Sequence, residues 1–363
     1  MRLTYSIADQ DFSTATSIGI YNLSIGFIRS MLDHPDLEQT TILSNPTLHQ
    51  TLDDLKDRAE LRTYAYPVAS MRGRLWWDQF GCYREAGRIG HPWLFLPKGF
   101  GSMVLACPVH LAVCLADVTS VIYRERYPHA VSPAKHQYYV HTHRQTIRQA
   151  RVIFTISEFS RQEIMTWAER QKLPCPPVIV AGCAPDQAHP PHRAKKDQIL
   201  VDLRRAPHKR SDLAIDYMER WRQSTGYDGK IMAVGTLPDN LGIPDHPQWQ
   251  YLGRVSPEMR AALLAESRIL VHFTEHEGFG LPPVEAILAG TPSVYSLIAC
   301  TGEVMGPTGC PFTNEDYDSF VAAMARAMST SALEVDQWAD ALRARHNWPL
   351  IGRRILDALA HWS

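Results

Sequence analysis

Short runs of apolar and β-branched residues alternate along this chain with longer segments whose apolar residues recur at helical spacing. The runs "ARVIFTIS" (150–157) and "RILVHF" (268–273) are typical of buried strands. In a helical segment the spacing is that of Leu213, Tyr217 and Trp221, which fall at i, i+4 and i+8 on one face. Strands that alternate with helices need crossover connections, so the pattern predicts an α/β fold built on parallel sheets.

The alternation occurs twice, on either side of a stretch at 174–196 that carries six prolines. A chain of 363 residues is too long for one ordinary hydrophobic core and suits two domains of roughly 150–200 residues. We therefore predict two doubly wound, Rossmann-like domains that face each other across a cleft, one over residues 1–185 and the other over 193–345.

Composition excludes several classes of protein. With 45% hydrophobic and 21% charged residues and a net charge of −1, the chain has no global field that would draw it to nucleic acid. Its seven cysteines are odd in number and form no C-x-x-C, which favours a reducing cytoplasm over a disulfide framework or a zinc site. No run is apolar over the ~18 residues that cross a bilayer, and the N-terminus lacks a signal-peptide core. We expect a cytoplasmic protein, at most peripheral to a membrane.

Capping residues predict where two of the helices begin. Ser160 precedes Glu163 by three residues, the spacing of a capping box, so a helix is expected to start after Ser160. Proline suits the first helical turn, so another helix is expected to begin near Pro283 and to hold Glu285 in its first turn.

Two carboxylates surround the turn before this second helix, in "EHEGFGLPPVEAILAG" (275–290). Glu277 lies in the loop, Glu285 lies in the helix, and Gly278 and Gly280 between them allow a ligand to approach the backbone. Free N–H groups at a helix start favour an anion, and a nearby carboxylate can accept two ribose hydroxyls, so the turn suits a nucleotide. The alternative, which the residues leave open, is a carboxylate that only stabilises the helix dipole.

A basic cluster, "DLRRAPHKRSD" (202–212), likewise follows a predicted strand and precedes a predicted helix. Arg204, Arg205, Lys209 and Arg210 could gather around a diphosphate, because arginine supplies a fork of donors and lysine a point charge. A solvated basic loop is the alternative. Ligands of open parallel sheets bind beyond the carboxyl ends of the strands, which favours the functional interpretation.

Several stretches together resemble a known family. The stretch "EHEGFGLPPVEAILAGTPSV" is similar to the E-x7-E signature of retaining GT-B glycosyltransferases of family 4. With "LRRAPHKRSDLAI" and "ACTGEVMG" it resembles that family's donor-binding half over about 195–330, whereas "IGIYNL", "WWDQF" and "RVIFTISEFSRQEI" match the other half more loosely. The resemblance implies that the last helix, 346–363, crosses back to the N-terminal domain, which would hold the acceptor.

The resemblance also implies roles for individual residues. Glu285 would bind the ribose hydroxyls, and Glu277 would contact the transferred sugar. Arg204 and Lys209 would neutralise the diphosphate, with Arg205 as the nearest competitor of Arg204. Further donor contacts, implied beside the sugar, the phosphates and the base, are Gly19, Gly253, Val255, Gly278, Phe279, Gly280 and Leu281.

The first domain departs from the family pattern at two places. Ser17 stands where the family often has the first glycine of its phosphate loop. In "AVCLADVTSVIYRERYP" (112–128), Ala116 occupies the position of the family's histidine beside Asp117, and alanine cannot donate a hydrogen bond to a sugar hydroxyl. Asp117 is the candidate for a catalytic base near the acceptor, with a capping or turn role as its alternative.

The leaving diphosphate has to be neutralised, and the sequence predicts that side chains do so without a metal. No D-x-D pair follows a suitable strand, so we expect no metal and no other cofactor. The resemblance implies a retaining transfer of a hexose from a nucleotide sugar to a glycan or lipid-linked acceptor in the synthesis of a surface polysaccharide such as lipopolysaccharide. Mannose from GDP-mannose is suggested by the resemblance only. A sugar-nucleotide epimerase or hydrolase of the same fold, or a weakly catalytic binding scaffold, stays open as an alternative.

Residues 71–88, "MRGRLWWDQFGCYREAGR", interleave four arginines with four aromatic residues. A basic, aromatic, amphipathic helix can lie on an anionic membrane, and such peripheral contact would suit a lipid-linked acceptor. The alternative is a helix that packs on the core and turns a charged face outward. Burial of the aromatic side chains distinguishes the two interpretations.

Overall fold

The computed structural model describes residues 1–10, 18–64, 70–185 and 194–363. The described chain divides into two compact units, one formed by Met1–Ala184 with Asn347–Ser363 and the other by Pro185–His346. Ser17 and part of the proline-rich stretch, 186–193, lie outside the described residues. Each unit is a parallel sheet with helices packed on it.

The strands of the first unit are β1 (Arg2–Ser6), β2 (Gln39–Ser44), β3 (Glu60–Thr63), β4 (Trp93–Leu96), β5 (His110–Cys114), β6 (Ala150–Thr155) and β7 (Val178–Val180). Within the described residues they form one parallel sheet of seven strands in the order β3-β2-β1-β4-β5-β6-β7. All residues of β4 are buried, as expected for a strand covered by helices on both faces.

The helices that join these strands are α1 (Ile18–Leu32), α2 (Met71–Trp76), α3 (Cys82–Ile89), α4 (Thr119–Arg126), α5 (Pro133–Gln149) and α6 (Glu158–Arg170). The start predicted for α6 is wrong. Ser157 has extended backbone and its Oγ accepts from the N–H of Ser160 at 3.0 Å, so Ser157 caps the helix and Ser160 lies inside its first turn. Because Ser157 already bonds the N–H group of Ser160, the helix begins before the capping box predicted from Ser160 and Glu163.

Residues 71–88 form α2 and α3 with a π-helical turn, Trp77–Gly81, between them. Trp77 and Tyr83 are buried in the hydrophobic core of the first unit, whereas Trp76 is 44% exposed. The segment therefore packs on the core through part of its aromatic set, and contact with a membrane stays a prediction. Among the described residues, no helix combines the length and the apolar character needed to cross a bilayer.

The strands of the second unit are β8 (Gln198–Leu203), β9 (Lys230–Gly235), β10 (Trp249–Gly253), β11 (Ile269–His272), β12 (Ser293–Ser296) and β13 (Cys310–Phe312). Its helices are α7 (Ser211–Thr225), α8 (Pro257–Glu266), α9 (Leu281–Leu288), α10 (Ala299–Met305), α11 (Tyr317–Ser329) and α12 (Ala332–Arg345). In this part of the described chain the strands form one parallel sheet of six in the order β10-β9-β8-β11-β12-β13. The strand order reverses between β8 and β11.

Successive residues of β8 enter different cores, because side chains alternate across a strand. Ile199 and Val201 pack in a cluster that includes Trp221 of α7, whereas Leu200 packs in a second cluster with Leu264 of α8. Burial on both faces explains why the middle of this strand, 199–201, is continuously apolar and does not alternate with polar residues.

The last helix, α13 (Trp348–His361), packs on α1 within the first unit. A Cβ atom on Gly26 of α1 would overlap the ring of Trp348, and one on Gly352 of α13 would overlap the backbone of Ser30. The two glycines therefore allow the helices to approach closely. The rings of Phe27 and Trp348 meet edge to face across this contact, with their centroids 6.1 Å apart.

Candidate functional site

The second unit brings polar side chains together where β8 and β11 end. These neighbouring strands flank the point at which the strand order reverses, and open parallel sheets bind ligands at such a point. Asp202 and His272 are partners in the register of the two strands, and each exposes only 2% of its surface. The basic loop follows β8 and the glutamate turn follows β11, so the two predicted motifs begin side by side.

The loop after β8 is closed by Ser211, the first residue of α7. Its Oγ accepts from the N–H of Arg204 at 2.9 Å and donates to the Arg204 carbonyl at 2.8 Å. A single 3-10 turn, Pro207–Lys209, then places the Lys209 ammonium in contact with the carboxylate of Glu277. Backbone pairing at 2.7 Å between the loops after β8 and β11 fixes them to each other.

The helix after the glutamate turn, α9, begins at Leu281, two residues before Pro283, and has proline in its first turn as predicted. Glu285, however, lies in the second turn and not in the first, because Gly280 ends the loop in the left-handed region, with φ of 85°, and the helix follows directly. A Cβ atom there would also lie 3.2 Å from Cγ2 of Thr301, so the position favours glycine on two grounds.

The turn that precedes α9 is tightly packed. Gly278, Phe279 and Gly280 are buried, and Leu281 is half-buried at the start of the helix. The ring of Phe279 meets that of His346 edge on, with centroids 5.1 Å apart. The backbone from 278 to 281 is thus held in one conformation beside Glu277, and its contact with a donor stays a prediction.

Both signature glutamates are held by cations. Glu277 Oε1 pairs with Lys209 and lies 3.2 Å from Nε2 of His272. Glu285 Oε2 accepts a hydrogen bond of 3.0 Å from Nη2 of Arg260, which lies on α8. Each carboxylate is therefore an oriented hydrogen-bond acceptor and not a freely moving surface charge.

Asp202 joins the two glutamates into one network. Its Oδ1 lies 3.1 Å from Nη2 of Arg204 and 3.7 Å from Nη1 of Arg260, and its Oδ2 lies 3.6 Å from Nδ1 of His272. We call this set the strand-end network; its members are Asp202, Arg204, Lys209, Arg260, His272, Glu277 and Glu285.

Burial would raise the pKa of the Asp202 and Glu277 carboxyls, but neighbouring cations hold both pKa values well below their usual range. Arg260 is the strongest of these cations at Asp202, and Lys209 is the strongest at Glu277. Burial likewise would lower the pKa of the His272 imidazole, but the two carboxylates beside it raise that pKa above its ordinary value. The network therefore favours ionised carboxylates and a protonated imidazole.

The structure divides the basic cluster. Arg204 and Lys209 belong to the strand-end network, whereas Arg205 is exposed and pairs with Asp239. Arg210 Nη1 lies 2.5 Å from each of two other carboxylates and is neutralised by them. The four basic side chains pair with different carboxylates, and Arg204, unlike its competitor Arg205, pairs with Asp202 of the strand-end network.

Gly253 and Val255 are the residues expected beside the base of the nucleotide. Gly253 ends β10 with φ of 62°, next to a shift in the strand register. Among the described residues, no atom lies within 4 Å of where its Cβ would be. Val255 packs on the core cluster beneath the sheet. Contact of these residues with a base stays a prediction.

Predicted residues of the first unit lie near the ends of its elements. Gly19 is the second residue of α1, and Asp117 lies between β5 and α4. Asp117 Oδ1 accepts from the N–H of Thr119 at 2.8 Å, and the carbonyl of Ala116 accepts from Oγ1 of Thr155 at 3.2 Å. The Asp117 contact is that of a turn residue, the alternative considered for it, and a catalytic role stays a prediction.

Sequence reasoning missed Asp202, Arg260 and His272. A signal for two of them exists, because Asp202 and His272 are polar residues at the ends of the apolar runs "QILVDL" and "RILVHF". A polar group buried in such a strand needs partners, which marks the strand end as a site. Arg260 lies in an ordinary helical pattern, and only the packing of α8 brings it to Glu285.

The network has the charge to bind an anion together with hydroxyl groups. Arg204, Lys209 and Arg260 carry three positive charges that balance the three carboxylates, and protonation of His272 adds a fourth positive charge, which leaves +1. Within the described ranges, no group of three or more His, Cys, Asp or Glu side chains is placed to hold a metal ion.

A comparison with protein families matches residues 199–330 to Glycosyl transferases group 1. This range contains the whole strand-end network and both sequence motifs. It covers the strands on both sides of the reversal in strand order, so the match and the site coincide.

Curated relatives are similar over part of the chain. O-antigen chain mannosyltransferase B of Escherichia coli is 25% identical over 225 residues, 55% of this chain and 56% of the relative. The serotype-specific mannosyltransferase WbdA of Escherichia coli is 25% identical over 275 residues, 68% of this chain and 33% of the relative. The MMP alpha-(1->4)-mannosyltransferase of Mycolicibacterium hassiacum is 39% identical over 79 residues, 21% of this chain and 19% of the relative. The chain thus spans about half or less of the length of these relatives.

Solved structures match nearly the whole chain at low identity. Anabaena HepE in complex with UDP and glucose is 14% identical, with a TM-score of 0.66 over 99% of this chain and 100% of that one. Sucrose-phosphate synthase from Thermosynechococcus elongatus is 15% identical, with a TM-score of 0.67 over 99% of this chain and 98% of that one. The chain therefore has the GT-B fold, and its second unit carries a match to Glycosyl transferases group 1 that supports a glycosyltransferase.

Proposed function

We propose that the protein is a retaining glycosyltransferase that moves a hexose, with mannose from GDP-mannose as the first candidate, to a glycan or lipid-linked acceptor in surface polysaccharide synthesis. The observation that carries the proposal is the strand-end network. In it Glu277 and Glu285, each held by a cation, follow the carboxyl end of β11 within the matched range 199–330, and open parallel sheets generally bind ligands beyond such ends. The mannosyltransferase names of the relatives support mannose as the sugar.

The network supplies what a nucleotide sugar needs. Lys209 and Arg204 neutralise the diphosphate, and their charge stabilises it further as the sugar–phosphate bond breaks, which is electrostatic work done without a metal. Glu285 accepts the two ribose hydroxyls, and Arg260 on its Oε2 holds the carboxylate in place for them. Glu277 accepts hydroxyls of the hexose.

In the proposed reaction the bond between the anomeric carbon and the leaving phosphate breaks, and a bond from the acceptor oxygen forms on the same face of the sugar. The proton of the acceptor hydroxyl passes to the leaving phosphate, so no enzymic base is required. This scheme fits the turn contact of Asp117, whose carboxylate already accepts from Thr119.

The test combines a nucleotide screen with a donor screen. We expect GDP, and not UDP or ADP, to raise the melting temperature of the protein, and GDP-mannose to be the donor that is consumed. Glu285→Ala and Lys209→Ala should each abolish the nucleotide-induced shift. Lys230→Ala is a matched control, because Lys230 begins β9 at the amino end of the parallel strands, away from their carboxyl ends, and donates to the Pro247 carbonyl.

The outcomes separate the competing functions. Full nucleotide binding by both site variants would refute the assignment of the site. Release of the sugar to water and never to a glycan indicates a hydrolase, and nucleotide binding without any turnover indicates a binding scaffold. A UDP-sugar as the consumed donor would keep the transferase and replace mannose.

A further inference from the structure

We infer that His272, backed by Asp202, is a positioning residue that fixes the Glu277 carboxylate so that its Oε2 atom faces the hexose of the donor. The inference rests on the proposed function, because the hexose is the ligand assigned there to Glu277. His272 does not itself touch the substrate in this scheme. It acts through Glu277.

The burial of this pair calls for an explanation beyond packing. Asp202 and His272 lie side by side on β8 and β11, each is only 2% exposed, and the three residues that precede each of them in its strand are apolar. Apolar residues of similar volume in place of a buried ion pair are often neutral or stabilising. The pair is therefore better explained by what His272 contacts, which is the first signature glutamate.

The geometry gives each ring nitrogen a carboxylate. Nε2 of His272 lies 3.2 Å from Glu277 Oε1, and a carboxylate only accepts, so Nε2 carries a proton. Nδ1 lies 3.6 Å from Asp202 Oδ2, an ion-pair distance just beyond a hydrogen bond. A protonated ring turns an N–H group toward each carboxylate, whereas a neutral ring would turn a lone pair toward one of them.

The contacts of Glu277 leave one oxygen for a ligand. Within the described residues both of its contacts, from His272 and from Lys209, fall on Oε1. Oε2 is thus the atom that can accept from a sugar hydroxyl. Lys209 is a flexible point charge that the diphosphate also attracts, so a bound donor draws it away from the carboxylate. His272, held in a strand, is the anchor that keeps Glu277 oriented when Lys209 turns to the phosphates.

The surroundings favour the charged ring. Burial alone would lower the pKa of His272, but Asp202 and Glu277 outweigh it and raise the pKa above the ordinary value. Burial lowers the pKa of the nearby His208 to about 4, so that ring is neutral and adds no competing charge. The titratable and charged groups on the elements around His272 are Asp202, Arg204, His208, Lys209, Arg260, Glu277, Glu285 and Tyr295.

The raised pKa sets the direction of the pH effect. The contribution of the charged ring is complete below about pH 6.5, the pKa of an unfolded histidine, and is lost as the pH rises through the higher pKa of the folded state. Orientation of Glu277, and with it turnover, is therefore expected to decline on the alkaline side.

Two substitutions of His272 distinguish the effect of its hydrogen bond to Glu277 from the effect of its positive charge. In the His272→Gln variant the side-chain amide still donates near the position of Nε2 but does not titrate, whereas His272→Leu removes the donor. We expect kcat for GDP release from GDP-mannose to fall about 100-fold in the leucine variant, the effect of a misplaced group, with KM for the donor within about threefold. The glutamine variant should keep kcat within about tenfold at neutral pH and lose the alkaline decline.

The controls distinguish positioning from a structural role. GDP should raise the melting temperature of both variants as it does that of the wild type, because GDP lacks the hexose. His246→Gln is the matched control; it lies in the loop before β10, outside the network, and should keep the wild-type pH profile.

Three results would overturn the inference. One is a His272→Gln variant that keeps the alkaline decline of the wild type, and this variant decides the question alone if His272→Leu does not fold. Another is loss of the GDP-induced shift in both variants, which would assign His272 to the nucleotide site as a whole. The third is a wild type that releases no nucleotide from any nucleotide sugar, which refutes the proposed function as well; the first two leave it standing.

Discussion

Substitution of Gly352 by alanine is expected to destabilise the first unit by displacing α13 from α1. A Cβ atom at this position would lie 2.6 Å from the carbonyl carbon of Ser30 and closer still to its oxygen, and backbone cannot move aside as a side chain can. Overpacking of this kind costs about 1–3 kcal/mol, whereas the higher helix propensity of alanine returns about 1 kcal/mol. We take the upper part of the first range, because the obstacle is backbone, and expect a net loss of about 1–2 kcal/mol.

Two matched variants in α1 test the reasoning. A Cβ atom on Gly26 would meet the ring of Trp348, which is half-exposed and can rotate, so Gly26→Ala should cost less than Gly352→Ala. A Cβ atom on Gly19 would meet no atom of the described residues within 4 Å, so Gly19→Ala should be neutral or stabilising by up to about 1 kcal/mol. The expected order of stability is Gly19→Ala, then Gly26→Ala, then Gly352→Ala.

Urea denaturation followed by tryptophan fluorescence measures the order, with an unchanged m-value as the sign that only stability has moved. For a unit of this size a loss of 1 kcal/mol lowers the melting temperature by about 2–4 °C. A Gly352→Ala variant as stable as Gly19→Ala would show that the helices do not approach as closely as the structure describes.

Two further predictions concern charged groups outside the site. Lys98→Met should destabilise the first unit by about 3–5 kcal/mol in denaturant titrations, because it leaves the carboxylates of Asp9 and Asp78 buried without their cation; a loss below 1 kcal/mol would contradict this. The pKa of the Glu219 carboxyl is lowered to about 2, mainly by hydrogen bonding from Arg222. The ionised Glu219 carboxylate therefore stabilises the folded state above the pKa of an unfolded glutamate, and this stabilisation is lost as the pH falls toward 2. Glu219→Gln should flatten the acid side of the stability profile, and an unchanged profile would refute the assignment.

The α/β fold class could be predicted from the alternation of strand-like and helix-like hydrophobic patterns along the chain. Apolar runs such as "RILVHF" alternate with helical segments, and parallel strands joined by helices are the arrangement that buries both. Helix boundaries were less predictable. At Ser157 a residue earlier in the chain took the capping position, because several neighbouring residues can satisfy the same free backbone groups. At Gly280 the left-handed backbone conformation ends the loop, and α9 begins at the next residue.

Some residues of the candidate site could likewise be predicted from the sequence, and others could not. The positions of Lys209 and Glu277 in the loops after β8 and β11, and of Glu285 in the helix after the second loop, could be predicted, because those residues follow recognisable runs and turns in the sequence. The choice between Arg204 and Arg205 could not, since adjacent residues leave a strand in different directions and only the loop closed by Ser211 decides where each guanidinium lies.

The sequence by itself determined the alternation of elements, the two motifs and their place after strands, because these depend on neighbours within a few residues. The tertiary structure alone decided the partners: Arg260 for Glu285, and His272 with Asp202 behind Glu277. The longest of these contacts in sequence joins positions 70 residues apart, Asp202 and His272. It exists because the sheet places β11 beside β8, whereas the Arg260 contact exists because α8 packs beside α9, and local sequence preferences carry no information about either pairing.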